Sequence, residues 1–104
     1  MTFSRPPVNA LDQQALEEIA LAFEAFADDR RVTVAVFRTG GDRAFIAGAD
    51  LKEIDEDRER PPGEIVDRGA LACRALEAVA GCAVPVISAV AGPAIGGGLS
   101  FTAV

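Results

Sequence analysis

The sequence predicts an α/β fold with a mainly parallel sheet. Three observations carry that expectation. Helical and strand patterns alternate along the chain, in the order strand, helix, strand, short helix, helix, strand, loop, helix. Such alternation calls for right-handed crossovers between parallel strands. Half of the 104 residues are apolar, which suits one small domain with a modest core and does not suit a disordered chain. The glycines and prolines fall between the patterned segments, where turns belong.

The elements follow in order. Residues 1–4 read as the tail of a strand, and Arg5-Pro6-Pro7-Val8-Asn9 as a turn, because paired prolines interrupt both helix and ladder. A helix is expected from about Leu11 to Asp28, with Leu16, Ile19, Ala20, Phe23 and Phe26–Ala27 as its buried stripe. Asp12, Glu17 and Glu18 near its start suit the helix dipole. The β-branched run 32–37, between Arg30-Arg31 and Gly40-Gly41, reads as a strand. Residues 44–46 read as a second short strand or an extended loop.

Gly48-Ala49-Asp50 turns into a short helix over 51–54, and the charged, Pro-rich residues 55–63 form a surface loop. A long helix is expected over 64–80, with Ile65, Ala72, Leu76 and Val79 apolar and Gly81 as a left-handed cap. Residues 83–90 read as a buried strand with Pro85 near its start. Residues 92–98 are turn-rich, and 99–104 begin another helix. Both ends of the pattern are abrupt, so the reading is of a fragment.

Composition narrows the function. The net charge of −6 opposes binding to nucleic acid or to an anionic membrane surface. No apolar run approaches the roughly 20 residues of a membrane span, and the N-terminal residues lack a signal-peptide layout. A soluble, cytoplasmic protein is the expectation. The absence of histidine removes any histidine base or metal ligand. Cys73 falls within the expected helix and Cys82 just past its Gly81 stop, so nine residues at helical rise put them about 13 Å apart. That is too far for a disulfide, and they read as small buried apolar residues. No metal site is expected.

Two segments carry chemistry. In Arg43-Ala44-Phe45-Ile46-Ala47-Gly48-Ala49-Asp50-Leu51-Lys52 a strand-like run passes a glycine turn into a helix. In Ala91-Gly92-Pro93-Ala94-Ile95-Gly96-Gly97-Gly98-Leu99-Ser100 a buried strand runs through three glycines into another. Amides at a helix start are unpaired and suit an anion or a polarised oxygen. Two such segments can each give one N–H to the same carbonyl oxygen, which is an oxyanion hole. The alternative is that Gly96–Gly98 only let a helix pack tightly on a strand. A P-loop needs Gly-Lys-Ser/Thr where this chain has Gly98-Leu99. The dinucleotide fingerprint lacks its third glycine, and no Gly-x-Ser-x-Gly elbow is present.

Three stretches, 5–11, 43–52 and 85–98, resemble successive motifs of the crotonase (enoyl-CoA hydratase/isomerase) family, in its order and near its spacing. The resemblance covers essentially the whole chain. It implies a spiral of ββα units, here partial and truncated before the C-terminal helices. Residues 1–104 would be the N-terminal part of an acyl-CoA-binding domain, trimeric or hexameric in full-length form. It implies a coenzyme A thioester as substrate, with no bound cofactor. By that resemblance Ala49 and Gly97 provide the oxyanion-hole N–H groups that stabilise a thioester enolate. Ala47, Asp50, Leu51, Lys52 and Gly96 line the substrate, and Lys52 or Arg5 meets a CoA phosphate.

One departure stands out. Hydratases of the family usually carry a catalytic glutamate three residues after the middle glycine, and here that position is Ser100. A serine lacks the basicity for that role. The family's second glutamate falls beyond Val104. The expectation is therefore an acyl-CoA enzyme whose acid–base groups lie outside these residues, with the 104 residues alone inactive. The alternative is a truncated, non-catalytic acyl-CoA binder or assembly fragment.

Overall fold

A computed structural model describes all residues from Met1 to Val104. Three parallel strands, β1 (Thr2–Phe3), β2 (Ala35–Thr39) and β3 (Val86–Ala89), form one sheet in the order β1-β2-β3. Thr2 pairs with Arg38, and Val36 with Ile87. The parallel α/β expectation holds.

Four helices connect and follow the strands: α1 (Gln13–Ala25), α2 (Leu51–Asp57), α3 (Arg68–Ala80) and α4 (Gly97–Ala103). Alternation on β2 turns Ala35 and Phe37 into the core, where α1 and α3 cover the sheet. Phe37 sits at its centre and meets Phe23, Phe45 and Phe101 edge-on, with ring centroids 5.4, 5.5 and 5.8 Å away. Such pairs each add about 0.5–1.5 kcal/mol beyond the area they bury. The phenyl cluster thus joins α1, the sheet, the 44–46 segment and α4.

The start of α1 lies two residues later than the pattern implied. Leu11 is held in a bridge to Ala49, and Asp12 is the N-cap, accepting from the Ala15 amide at 2.8 Å. Leu16, Ile19, Ala20 and Phe23 are buried as expected. Phe26 and Ala27 lie in a 3-10 turn, half-buried and exposed respectively, and so leave the stripe. The strand expected at 32–37 is shifted to 35–39 because its register is fixed by the flanking strands, and Val34 is left exposed.

Helix α2 runs three residues beyond its expected end and takes over the start of the charged loop. Helix α3 begins at 68, not 64. Pro62–Glu64 form a 3-10 turn, Ile65 is exposed, and Asp67 caps the helix by accepting from the Ala70 amide at 3.0 Å. Gly81 ends α3 without the left-handed conformation, at φ −92°, with its N–H on the Glu77 carbonyl at 2.8 Å. Strand β3 is shorter than 83–90 and is not buried on both faces: Ile87 is exposed because no helix covers that side. Cys73 is exposed and Cys82 half-buried, so neither is the fully buried residue expected. Both thiols are free.

Candidate functional site

The two glycine-bearing segments run side by side. The Phe45 amide donates to the Pro93 carbonyl at 2.9 Å and the Ile95 amide to the Ile46 carbonyl at 3.0 Å. Ile46 and Ala94 form a parallel bridge. Both segments then turn through glycine in the left-handed region, Gly48 at φ +103° and Gly96 at φ +55°. They turn against each other: a Cβ on Gly48 would lie 3.2 Å from the Ile95 carbonyl oxygen.

A third segment fixes the first turn. The Leu11 amide donates to the Gly48 carbonyl at 2.7 Å, and the Asp50 amide donates to the Leu11 carbonyl at 2.9 Å. Ala49 sits between those two bonds. In a parallel pairing the intervening residue directs its own N–H away from the partner strand. Gly97 is the first residue of α4, where the amide has no intrahelical acceptor. Neither the Ala49 nor the Gly97 N–H is engaged by another group of the chain. Both residues line one cavity of about 280 Å³. Its walls are Leu11, Leu16, Ile54 and Ala72, and Arg68 and Gly69 complete it.

The three consecutive glycines divide the labour. Gly96 makes the turn. Gly98 makes the close approach, since a Cβ there would overlap the Ile46 carbonyl. The tight-packing alternative is therefore correct for Gly98. Gly97, between them, lines the cavity and has an amide without a partner in the chain.

The remaining sequence candidates are dispersed. The Ala47 amide donates to the Val8 carbonyl at 3.2 Å. Leu51 and Lys52 are exposed on α2 and do not line the cavity. Asp50 has structural duties. It caps α2, accepting from the Lys52 and Glu53 amides at 3.0 and 3.4 Å, and pairs with Arg5 at 2.7 Å. Arg5 also pairs with Asp12 at 3.0 Å and donates to the Ala10 carbonyl at 3.1 Å. Its guanidinium thus ties the caps of α1 and α2 together. Ser100 is half-buried one turn into α4, with Oγ 3.4 Å from the Gly96 carbonyl, and does not line the cavity.

Burial pushes the Asp50 carboxyl up, but the Arg5 guanidinium and the Glu53 and Lys52 amides outweigh it. Its pKa therefore lies below the ordinary 3.8. A carboxylate lowered on folding contributes stability that is complete above the unfolded value and is lost as pH falls through the folded one. Asp50→Asn should consequently flatten the fall in Tm between about pH 5 and about pH 3. Parallel melting curves for variant and wild type across that range would refute the assignment.

Two groups near the site escaped the sequence reading. Asn9 is buried at φ +55°, and its amide reaches three carbonyls. The signal available for it was a turn with an asparagine after two prolines. Arg68 reaches back from α3 to Glu53 and Asp57 on α2. Nothing in its local pattern marks it, because its partners are 15 and 11 residues away.

Comparison with known proteins supplies the class. The chain belongs to the enoyl-CoA hydratase/isomerase family, which it matches over residues 1–104. It is 37% identical over 101 residues to a (7aS)-7a-methyl-1,5-dioxo-2,3,5,6,7,7a-hexahydro-1H-indene-carboxyl-CoA hydrolase of Mycobacterium tuberculosis, covering 97% of this chain and 40% of that one. It is 38% identical over 101 residues to carnitinyl-CoA dehydratase of Citrobacter koseri, covering 97% of this chain and 37% of that one. An enoyl-CoA hydratase/carnithine racemase structure from Magnetospirillum magneticum superposes with a TM-score of 0.81 at 36% identity, covering 97% of this chain and 38% of that one. The fold is thus the crotonase fold in part. The chain spans about two fifths of the length of the two curated relatives.

Proposed function

We propose that residues 1–104 are the N-terminal part of an acyl-CoA-transforming enzyme of the hydratase/isomerase type. The Ala49 and Gly97 N–H groups hold the thioester carbonyl. The observation that carries this reading is that two amides unengaged within the chain belong to residues lining one largely aliphatic cavity. Donation from both polarises the carbonyl and stabilises the enolate that forms when a proton leaves the α-carbon. Fixed donors do this without reorganising, and each contributes about 3–4 kcal/mol to the transition state.

No general base lines the cavity. Its one ionisable side chain is Arg68, which is committed to carboxylates. Proton transfer on this reading needs a carboxylate from outside these residues, consistent with Ser100 at the family's glutamate position. A trimeric or hexameric assembly and a cytoplasmic setting belong to the same reading and rest on family resemblance.

The test is difference infrared spectroscopy of butyryl-CoA carrying a ¹³C thioester carbonyl, with the protein expressed from its whole reading frame. The carbonyl stretch should fall to lower wavenumber on binding. An unshifted stretch in a saturated complex would reject the two-donor site. Binding with a shifted stretch, and no turnover of any enoyl- or hydroxyacyl-CoA, would favour the non-catalytic binder.

A further inference from the structure

The cavity that Ala49 and Gly97 line has one charged residue in its wall, Arg68. Two of the three guanidinium nitrogens are taken. Nε donates to Glu53 Oε2 at 3.0 Å, and Nη1 donates to Asp57 Oδ2. Nη2 has no hydrogen-bond partner within the chain. The Arg68 side chain is only 20% exposed.

The clamp on the other two nitrogens is anchored. Glu53 also accepts the Gln13 amide at 3.1 Å, which ties it to the start of α1. Asp57 is buried, with Arg60 3.6 Å from its Oδ1. A planar guanidinium held at two corners has a fixed plane, so its third corner is a donor of fixed direction. Two carboxylates already answer the charge. Nη2 therefore offers chiefly a directed N–H, which a neutral oxygen accepts as well as an anionic one.

The rest of the wall sets the contrast. Leu11, Leu16, Ile54 and Ala72 have no polar side-chain atoms. The volume of about 280 Å³ falls just below the roughly 300–1,000 Å³ of pockets for drug-sized ligands, so the group it takes is short. A wholly aliphatic acyl group filling that space would strip water from Nη2 and give it nothing in return. An oxygen on the acyl group would satisfy it.

We infer that Arg68 Nη2 is a specificity-determining donor, and that the cavity selects short acyl groups carrying an oxygen acceptor beyond the β-carbon. A hydroxyl and a carboxylate share that chemistry. The inference rests on the acyl-CoA reading above and adds the substrate class. The two backbone amides take the thioester end, and Arg68 reads the far end.

Calorimetric titration with three four-carbon thioesters tests it, on the protein from its whole reading frame. Butyryl-CoA has no oxygen at its far end, 4-hydroxybutyryl-CoA has a neutral one and succinyl-CoA a charged one. At least one of the last two should bind about tenfold or more tightly than butyryl-CoA, the worth of one hydrogen bond to a charged donor. Which of them leads tells whether the oxygen is neutral or anionic. Arg68→Lys keeps the positive charge for Glu53 and Asp57 but has a single nitrogen for all partners. It should bring the ratio back toward one. A melting curve first establishes that the variant is folded, and the wild-type ratio stands independently of it. Equal or weaker binding of both oxygen-bearing thioesters by the wild type, or an unchanged ratio in folded Arg68→Lys, overturns the role of Arg68 and leaves the acyl-CoA reading intact. Binding of none of the three by folded protein overturns both.

Discussion

On the proposed two-donor reading, Gly97→Pro should lower kcat/KM of the protein expressed from its whole reading frame by about 10²- to 10³-fold, the usual consequence of deleting one oxyanion donor. A backbone N–H cannot be removed by truncating a side chain, but proline removes it. The position is permissive. Gly97 is the first residue of α4, where proline's fixed φ fits and no intrahelical bond is lost. Gly96 before it has no Cβ to clash with the ring. The new Cβ would meet Leu11 Cδ1 at 2.9 Å, the far end of a flexible side chain. Gly97→Ala adds that same Cβ and keeps the N–H. The difference between the two variants therefore isolates the donor. The loss should fall on kcat more than on KM, since the carbonyl gains charge chiefly in the transition state. Equal rates for Gly97→Pro and Gly97→Ala, with equal melting temperatures, would remove Gly97 from the catalytic account.

The sequence made the topology readable because local patterns and global fold agree. The stripe of α1 is its buried face, and the alternation in β2 is its two-sided environment. The glycine segments were legible for the same reason. Only a close backbone approach or a left-handed turn demands glycine; the turn occurs at Gly48 and Gly96, and the close approach at Gly48 and Gly98. Boundaries were less legible where tertiary contacts set them. Leu11 has a helical pattern yet is drawn into a bridge with Ala49. Ile65 is apolar yet precedes the cap at Asp67. Asp50 and Arg5 are charged residues near the site, and a motif reading assigns them to ligand. Their geometry assigns them first to each other. The Arg68 clamp was invisible because ion pairs across a loop leave no periodic trace.

Asn9→Asp should be among the most destabilising single substitutions in the chain, costing roughly 3–5 kcal/mol. Asn9 Nδ2 lies 2.9 Å from the Gly40 carbonyl and 3.1 Å from those of Ala44 and Phe45, and Oδ1 accepts the Arg5 amide at 2.8 Å. The side chain is a buried donor among carbonyls that have little other recourse. An aspartate of the same shape would keep the Arg5 bond but turn a carboxylate oxygen toward three carbonyls in a site 3% exposed. Asn9→Gly removes the donor without the repulsion and tolerates φ +55°. It should cost less, about 2–3 kcal/mol. Asn9→Ala removes the same bonds and adds the left-handed penalty of about 1–2 kcal/mol. The expected order in urea unfolding is therefore wild type, then Gly, with Ala and Asp lowest and in the same range. A small domain holds only about 5–15 kcal/mol in total, so the aspartate variant approaches unfolding. The effect also reaches the site. Ala44 and Phe45 lead directly into Ile46, Gly48 and Ala49, so releasing their carbonyls loosens the segment that carries Ala49, one of the two proposed donors. An Asn9→Asp variant as stable as Asn9→Gly would mean that the three carbonyl contacts do not hold that segment.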